Sequence, residues 1–279
     1  MPATVTFTEG AAVALARCRE ALLRRPVVNN LLLTLLSARA ASPAPGRYWV
    51  VEDGGRFAGL AFQSPLDAPA VISRMAPGHV EQLAAAVHEA GAQLPGVNGE
   101  PAASTAFAGD WAALTGATIV PRRAVRLYEA RRVREGPRPP GRFRLATSDD
   151  RALLLDWTRR FNAEVHAPGG DPERMVDQRL RAGQLWFWDD GGPVAMAGIS
   201  TPTAGVARVL WVYTPREKRG RGYARACVRE VTRQVLNRAL RCALYADLGD
   251  PVATGIYLRL GYRPVTELME FRFESAVRR

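Results

Sequence analysis

Val206-Ala207-Arg208-Val209-Leu210-Trp211-Val212-Tyr213-Thr214 is a mostly apolar run with strand character; Pro215 stops it, and Arg219-Gly220-Arg221-Gly222-Tyr223-Ala224 then leads into a helix. On that helix Ala224, Cys227, Val228, Val231 and Val235 line one face, while Arg225, Arg229, Glu230 and Arg233 lie largely off it. A strand, a basic glycine turn and a helix N-terminus together favour phosphate. Glycines let the backbone close up and point its N–H groups inward, and the first helical turn has unpaired donors and a partial positive charge. Arg219 and Arg221 add positive charge at the same spot. The turn is not a P-loop, because GxxxxGK[ST] is absent. It is a poor dinucleotide loop, because GxGxxG is absent and the turn follows the fourth strand of its unit rather than the first. An ordinary helix cap in a basic loop remains the bland alternative.

Working outward, the chain repeats itself. Tyr48-Trp49-Val50-Val51-Glu52-Asp53-Gly54-Gly55-Arg56-Phe57-Ala58 aligns without gaps with Leu185-Trp186-Phe187-Trp188-Asp189-Asp190-Gly191-Gly192-Pro193-Val194-Ala195, and the match runs on to Ser64-Pro65 and Thr201-Pro202. Each copy reads as a hairpin, with glycine supplying the positive φ of a tight turn. Each is preceded by helical periodicity and followed by strand, helix, strand, which points to a diverged duplication.

In the first half, helices are expected over 11–25 and 26–40, the hairpin over 47–63, a strand at 70–74, a helix over 78–91 and a strand pair over 118–131. The second half is expected to run strand 143–145, helix 148–165 capped by Ser148 and Asp149, helix 171–182, strands 185–188, 194–200 and 207–214, helix 222–240, strand 242–248, helix 251–260 and strand 264–273. Between the halves, Arg134-Glu135-Gly136-Pro137-Arg138-Pro139-Pro140-Gly141 suits neither helix nor sheet. The domains expected are therefore 1–133 and 142–279, with 134–141 as linker.

The second half resembles the GCN5-related N-acetyltransferase (GNAT) superfamily. That family carries Arg or Gln, two residues, Gly, one residue, then Gly or Ala between its fourth strand and third helix; Arg219, Gly222 and Ala224 fill those places. A second family feature, a helix with a Tyr followed by Leu-Gly-Tyr, is matched by Asp250-Pro251-Val252-Ala253-Thr254-Gly255-Ile256-Tyr257-Leu258-Arg259-Leu260-Gly261-Tyr262. A subgroup of the family has Asn at the places of Asp250 and Thr254, so two amide contacts to the cofactor are lost here. The resemblance implies an α/β fold of tandem GNAT-like units, each a mixed, mostly antiparallel sheet flanked by helices. It implies acetyl-CoA as co-substrate, with no metal. The pyrophosphate would rest on the amides of Arg219, Gly220, Arg221, Gly222, Tyr223 and Ala224. The pantetheine arm would pair with Val212, Tyr213 and Thr214 where the fourth and fifth strands splay apart, with Asp250 nearby. Tyr257 matches the tyrosine that protonates the departing thiolate, and an amine acceptor would attack directly.

An alkylammonium has a pKa of about 10.4, so a base is expected; Glu164, Asp247 and His166 are candidates. The first half carries Met75-Ala76-Pro77-Gly78-His79-Val80 after its strand, without Arg-x-x-Gly-x-Gly, and its turn Leu94 to Gly99 lacks a basic residue. That half would lack the cradle, and would pack on the active copy and shape the acceptor pocket. The competing reading is a non-catalytic acyl-CoA-binding or regulatory module, motivated by Asp250 and Thr254.

Bulk properties narrow the partners. A net charge of +11 suits a polyanionic ligand. However, the arginines are spread along the chain and interleaved with acids, and Lys218 is the lone lysine, so nucleic acid is not expected. No apolar run approaches membrane length, no signal peptide is apparent, and Cys18, Cys227 and Cys242 are too scattered for a disulfide or metal framework. The cytoplasm is the expected compartment. Trp157, Phe161, Trp186 and Trp188 are candidates for an apolar pocket or for core. The acceptor is a small-molecule or peptide amine, and the oligomeric state is open, a homodimer among the options.

Overall fold

The computed structural model describes residues 3–165, 171–238 and 240–274. Contacts divide the chain into two compact units: Met1–Leu127 with Asp247–Gly249 and Val265–Arg279, and Tyr128–Ala246 with Asp250–Pro264.

The first unit contains β1 (Thr4–Thr8), α1 (Ala11–Leu23), α2 (Asn30–Ala41), β2 (Arg47–Asp53), β3 (Arg56–Gln63), β4 (Ala70–Ile72), α3 (Pro77–Glu89), β5 (Gly96–Gly99) and α4 (Pro101–Thr115). A long strand β6 (Thr118–Ala130) leads into the second unit. Strands β1 to β4 pair antiparallel in sequence order, and β4 pairs parallel with β5. One face of this sheet buries Tyr48, Val50, Leu60 and Phe62 against Cys18, Leu22, Leu33 and Leu36 of α1 and α2. The other buries Trp49, Val51, Ala61 and Ile72 against Leu83, Val87, Phe107 and Trp111 of α3 and α4. The alternation of consecutive strand residues between the two clusters is the period of two expected of a sheet covered on both faces.

The second unit repeats this plan with β7 (Arg142–Leu145), a 3-10 turn (Ser148–Asp150), α5 (Arg151–Glu164), α6 (Pro172–Arg181), β8 (Leu185–Asp189), β9 (Pro193–Ile199), β10 (Val206–Tyr213), a second 3-10 turn (Arg216–Lys218), α7 (Tyr223–Leu236), β11 (Arg241–Asp247) and α8 (Pro251–Leu260). Strands β7 to β10 pair antiparallel in order, and β10 pairs parallel with β11. Trp186, Trp188, Ala195, Ala207 and Val209 face Cys227, Val231 and Val235 of α7; Leu185, Phe187 and Met196 face Leu154, Trp157 and Val176 of α5 and α6. Trp157, Trp186 and Trp188 are thus core residues of two separate clusters and do not line one pocket.

Both hairpins form as read. In the first, Gly54 and Gly55 have φ of 55° and 74°, the two positive values a tight turn needs. Several expectations are corrected. The strand pair over 118–131 is the single strand β6. β1 and α4 were not expected. The segment 94–99, read as a turn, contains β5. Its glycines serve close approach rather than turning: a Cβ on Gly96 would lie 2.2 Å from the Phe271 carbonyl oxygen, and one on Gly99 would lie 2.5 Å from Ile72. The last strand β12 (Arg263–Glu274) pairs antiparallel with β5, Met269 to Arg272 against Gly99 to Gly96. The helix over 148–165 is capped by Thr147 and Asp150, which form a reciprocal capping box, not by Ser148 and Asp149.

The 134–141 segment is held to the second unit. Arg229, expected off the apolar face of α7, is 2% exposed, and its Nη1 donates to the carbonyls of Gly136 (2.8 Å) and Pro137 (3.4 Å). Trp188 Nε1 donates to the Pro140 carbonyl at 2.8 Å.

Arg144 joins the start of the unit to its hairpin. It pairs with Asp150 at 2.7 Å and with Asp189 at 2.7 Å. Hydrogen bonds from Arg144 hold both carboxyls below the usual aspartate value of 3.8, more than offsetting burial. Arg144→Met should cost about 2 kcal/mol, the scale of charged hydrogen bonds shielded from solvent. A folded-state pKa below the unfolded one gives stability that is complete above the unfolded value and lost as pH falls through the folded one. Urea unfolding from pH 7 to pH 2 should therefore show the gap between wild type and variant constant above pH 3.8 and closing below it.

Candidate active site

Strand β10 begins in register with β11. Val206, Ala207, Arg208 and Val209 pair with Arg241, Cys242, Ala243 and Leu244, and the pairing stops there. The cause lies one residue further on. The register against β9 shifts between Leu210 and Tyr213, and Trp211 has a φ of 52°. This left-handed conformation is strained for a bulky residue, at a cost of about 1–3 kcal/mol. The bulge also reverses the alternation of side chains. Before it, odd-numbered Ala207 and Val209 face α7. After it, Trp211 and Tyr213 lie in the cluster with α5 and α6, while Val212 packs toward α7. The β10–β11 ladder therefore ends at Val209, and Val212, Tyr213 and Thr214 lie beyond its last recorded pair.

The turn that follows supplies donors. Gly220 and Gly222 have φ of 80° and 83°, and Gly222 is the N-cap of α7. The first backbone bond of α7 runs from the Ala226 amide to the Gly222 carbonyl at 3.0 Å. Among the described residues, no hydrogen-bond acceptor is found for the amides of Gly220, Arg221, Gly222, Tyr223, Ala224 or Arg225. This run of donors lies at the positive end of a helix, as an anion cradle requires.

The side chains around the turn hold its shape. Arg219 donates through Nε to the Thr214 carbonyl (2.8 Å) and through Nη2 to Glu164 (2.7 Å), and its guanidinium lies 5.8 Å from the Tyr213 ring. Arg216 also reaches Glu164, at 3.3 Å. Burial alone would raise the Glu164 carboxyl, but the two guanidiniums outweigh it and hold the group below its usual value. Glu164 is thus the anchor of the turn and a weak candidate for a base. Asp247 accepts from the Gly249 amide at 2.8 Å and lies 3.4 Å from Arg123, so it too is engaged. His166 lies outside the described residues. The Tyr223 hydroxyl donates to Asp190 at 2.6 Å, which leaves only its backbone for a ligand. The pairing of Arg219 with Glu164 and of Tyr223 with Asp190 had no sequence signal, because the partners lie more than 30 residues apart.

Tyr257 on α8 belongs to the core cluster that also holds Tyr223 and against which Val212 packs. It is 7% exposed, with its ring 5.9 Å from Tyr262 and 6.5 Å from Tyr128. No hydrogen-bond partner is found for its hydroxyl among the described residues. Burial, and then the Asp250 charge, push its pKa above the ordinary phenol value. Asp250 caps α8, its Oδ1 accepting from the Ala253 amide at 2.9 Å. Among the described residues no group of three or more His, Cys, Asp or Glu is placed to hold a metal ion.

Residues 151–262 match the model of the acetyltransferase (GNAT) family. The chain carries a GNAT acetyltransferase domain. Over 97% of its length the chain superposes on an acetyltransferase of the GNAT family from Colwellia psychrerythraea, all of which is covered, at 10% identity and a TM-score of 0.64. A GCN5-related N-acetyltransferase from Sphaerobacter thermophilus is similar at 17% identity and a TM-score of 0.63, covering 97% of this chain and 95% of that one. A tandem GNAT protein from the clavulanic acid biosynthesis pathway is similar at 15% identity and a TM-score of 0.53, covering 96% and 98%. At these identities the likeness establishes fold: tandem GNAT-like α/β units with mixed, mostly antiparallel sheets. A search of curated proteins finds no match.

The two positive-φ glycines of the GNAT turn give a direct test. Gly222→Val should lower stability by about 1–2 kcal/mol, because a β-branched residue resists the left-handed region. It should also weaken coenzyme A binding at least tenfold, about 1.4 kcal/mol, read by calorimetry against a Gly249→Ala control.

Proposed function

We propose that the second unit transfers an acetyl group from acetyl-CoA to an amine acceptor by direct attack. The observation that carries this reading is the run of amides from Gly220 to Arg225 without acceptors among the described residues, set just past the strand whose ladder with β11 has ended. These donors fit a diphosphate. Val212, Tyr213 and Thr214 border a gap that fits an extended arm able to bond to strand backbone. Arg219, held by Thr214 and Glu164, fixes the turn and contributes positive charge. Asp250, at the head of α8, lies near the arm in this reading. The donor supplies an acyl group already activated as a thioester.

The chain's own contributions are orientation, polarisation and a proton. A strand amide in Val212–Thr214 polarises the acyl carbonyl. Tyr257 holds a proton on its hydroxyl for the departing thiolate; its burial and the neighbouring Asp250 charge keep that proton in place. In this reading residues 142–279 carry the activity, 134–141 link the halves, and 1–133 are a GNAT-like copy that has lost the cradle. The expected setting is the cytoplasm, where three buried free cysteines, Cys18, Cys227 and Cys242, would stay reduced. No helix among the described residues is long and apolar enough to cross a membrane.

Calorimetric titration tests the reading. Acetyl-CoA should bind with a Kd in the micromolar range, and absence of heat and of thermal shift at millimolar ligand would exclude it. Tyr257→Phe should lower kcat by about 100-fold with KM for acetyl-CoA within about twofold. In the wild type, a phenol pKa above its ordinary value means that no alkaline loss from this group should appear below about pH 10. Unchanged turnover of the variant would remove Tyr257 from its role.

A further inference from the structure

On the α5/α6 side of the second unit, Arg179 and Arg208 have no acid partner among the described residues. Arg208 on β10 falls on the α5/α6 face, because its neighbours Ala207 and Val209 face α7. Its side chain makes no hydrogen bond or ion pair with any described residue, and its Nε is sealed from solvent. Arg179 on α6 donates only to the Met175 carbonyl of its own helix, at 3.3 Å, and its Nε is likewise sealed and unpaired. The Tyr245 hydroxyl on β11 is a third polar group buried without a partner. The three belong together. Arg208 lies 5.8 Å from the Tyr245 ring, and Arg179 lies 4.4 Å from the ring of Trp211, which stands three residues after Arg208 on β10 and in the cluster of α5 and α6. Burial lowers both arginine pKa values, and for Arg179 the charge of Arg208 adds to it.

Ring contacts do not settle this charge. A cation over a ring gains roughly 0.5–2 kcal/mol, against several kcal/mol for each cation withdrawn from water. Arg144, by contrast, has two carboxylates and Arg229 has two carbonyls, while Arg225 at the head of α7 shares the unpaired Nε. Arg179 and Arg208 remain half-buried, so the outer edges of their forks stay open to a small solute. The missing element is an anion, and its place in the fold says which. Arg208 pairs with Ala243 in the last closed stretch of β10 and β11. The amide cradle begins twelve residues later, at Gly220, past the far end of the gap. From Arg208 to Thr214 alone is roughly 20 Å at about 3.3 Å per residue. The cradle and the arginine pair are therefore separate sites at opposite ends of one strand, and a phosphate of the donor held in the cradle cannot also neutralise the pair.

We propose that Arg179 and Arg208 bind a carboxylate of the acceptor, so that the enzyme acts on amines that also carry a carboxylate. The planar forks match a carboxylate in shape and charge. The identity of the ligand as acceptor rests on the transferase reading above; the anion site itself does not.

The test has a binding arm and a transfer arm. In the first, thermal unfolding of the full chain is followed in sodium acetate, succinate or phosphate against chloride at equal ionic strength. The wild type should gain a few degrees in acetate or succinate, and Arg208→Gln and Arg179→Gln should gain none. Arg208→Met should raise the Tm in chloride, because an unpaired sheltered charge is removed; an arginine serving packing alone would lower it. Equal shifts in wild type and variants, or stabilisation by phosphate without carboxylates, would overturn the proposal. In the second arm, thiol release from acetyl-CoA is compared for glycine, glutamate and 4-aminobutyrate, each against its amide. The acids should be favoured at least tenfold in kcat/KM, and Arg208→Gln should abolish the preference through KM while leaving acetyl-CoA affinity intact. Acids and amides used alike would overturn the carboxylate assignment. Failure to bind acetyl-CoA would remove the transferase reading and leave the anion site to the first arm.

Discussion

A parallel pair of strands that stops pairing partway is the constraint on which the site depends. Val209 is the last residue of β10 bonded in register to β11. Two residues on, Trp211 takes a conformation that costs a bulky side chain free energy. In return, the strand is re-aimed. Tyr213 turns into the cluster of α5 and α6, Val212 turns toward α7, and backbone that would have been consumed by a ladder borders an opening instead. Backbone groups left unpaired in a sheltered place are unfavourable unless something else satisfies them. The gap and the amides of the following turn share that property, which is why both read as binding surface.

The rest of the second unit serves to hold that opening in one shape. Glu164 at the end of α5 clamps Arg219 and Arg216, and so ties the turn to the opposite face of the sheet. Tyr223 is pinned by Asp190 from the hairpin. α8 is capped by Asp250 and delivers Tyr257 to the cluster under the turn. In the first unit the same layers recur, with α1 and α2 on one face and α3 and α4 on the other. There the chain leaves β4 through Ser73 to Ala76 and enters α3 at a proline; the connection has one arginine, Arg74, and no glycine pair. The two units thus share a scaffold and differ in the short connection that gives one of them donors to offer.

Charge is distributed with the same economy. The chain is strongly basic, at +11. Yet many of its arginines are bound into pairs, such as Arg144 with Asp150 and Asp189, Arg151 with Asp177, and Arg241 with Glu129. Arg229, besides lying 3.7 Å from Glu230, serves backbone carbonyls and so holds the proline-rich 134–141 segment. Against that background Arg179 and Arg208 form a contrast: neither has an anionic partner among the described residues, and both lie on the face opposite α7.

Much of this was legible in the residues alone. The hairpin repeat, the order of elements in the second half, the glycine turn and the tyrosine helix all rest on local rules: period, turn chemistry and spacing. The failures share a cause. β5 was hidden because its glycines looked like turn residues, when they are small so that Phe271 and Ile72 can come close. Arg229 was read as lying off the apolar face of its helix, yet it is buried where the carbonyls of a distant segment meet it. Glu164 looked like a base until two arginines more than 50 residues away closed on it. Nothing in the letters around Trp211 announces a positive φ, and nothing in them tells a paired arginine from an unpaired one. Local sequence sets which elements form and which turn can offer amides to an anion. Only the tertiary structure decides where a strand lets go of its neighbour and which charges find partners, because both depend on groups that the chain brings together from far apart.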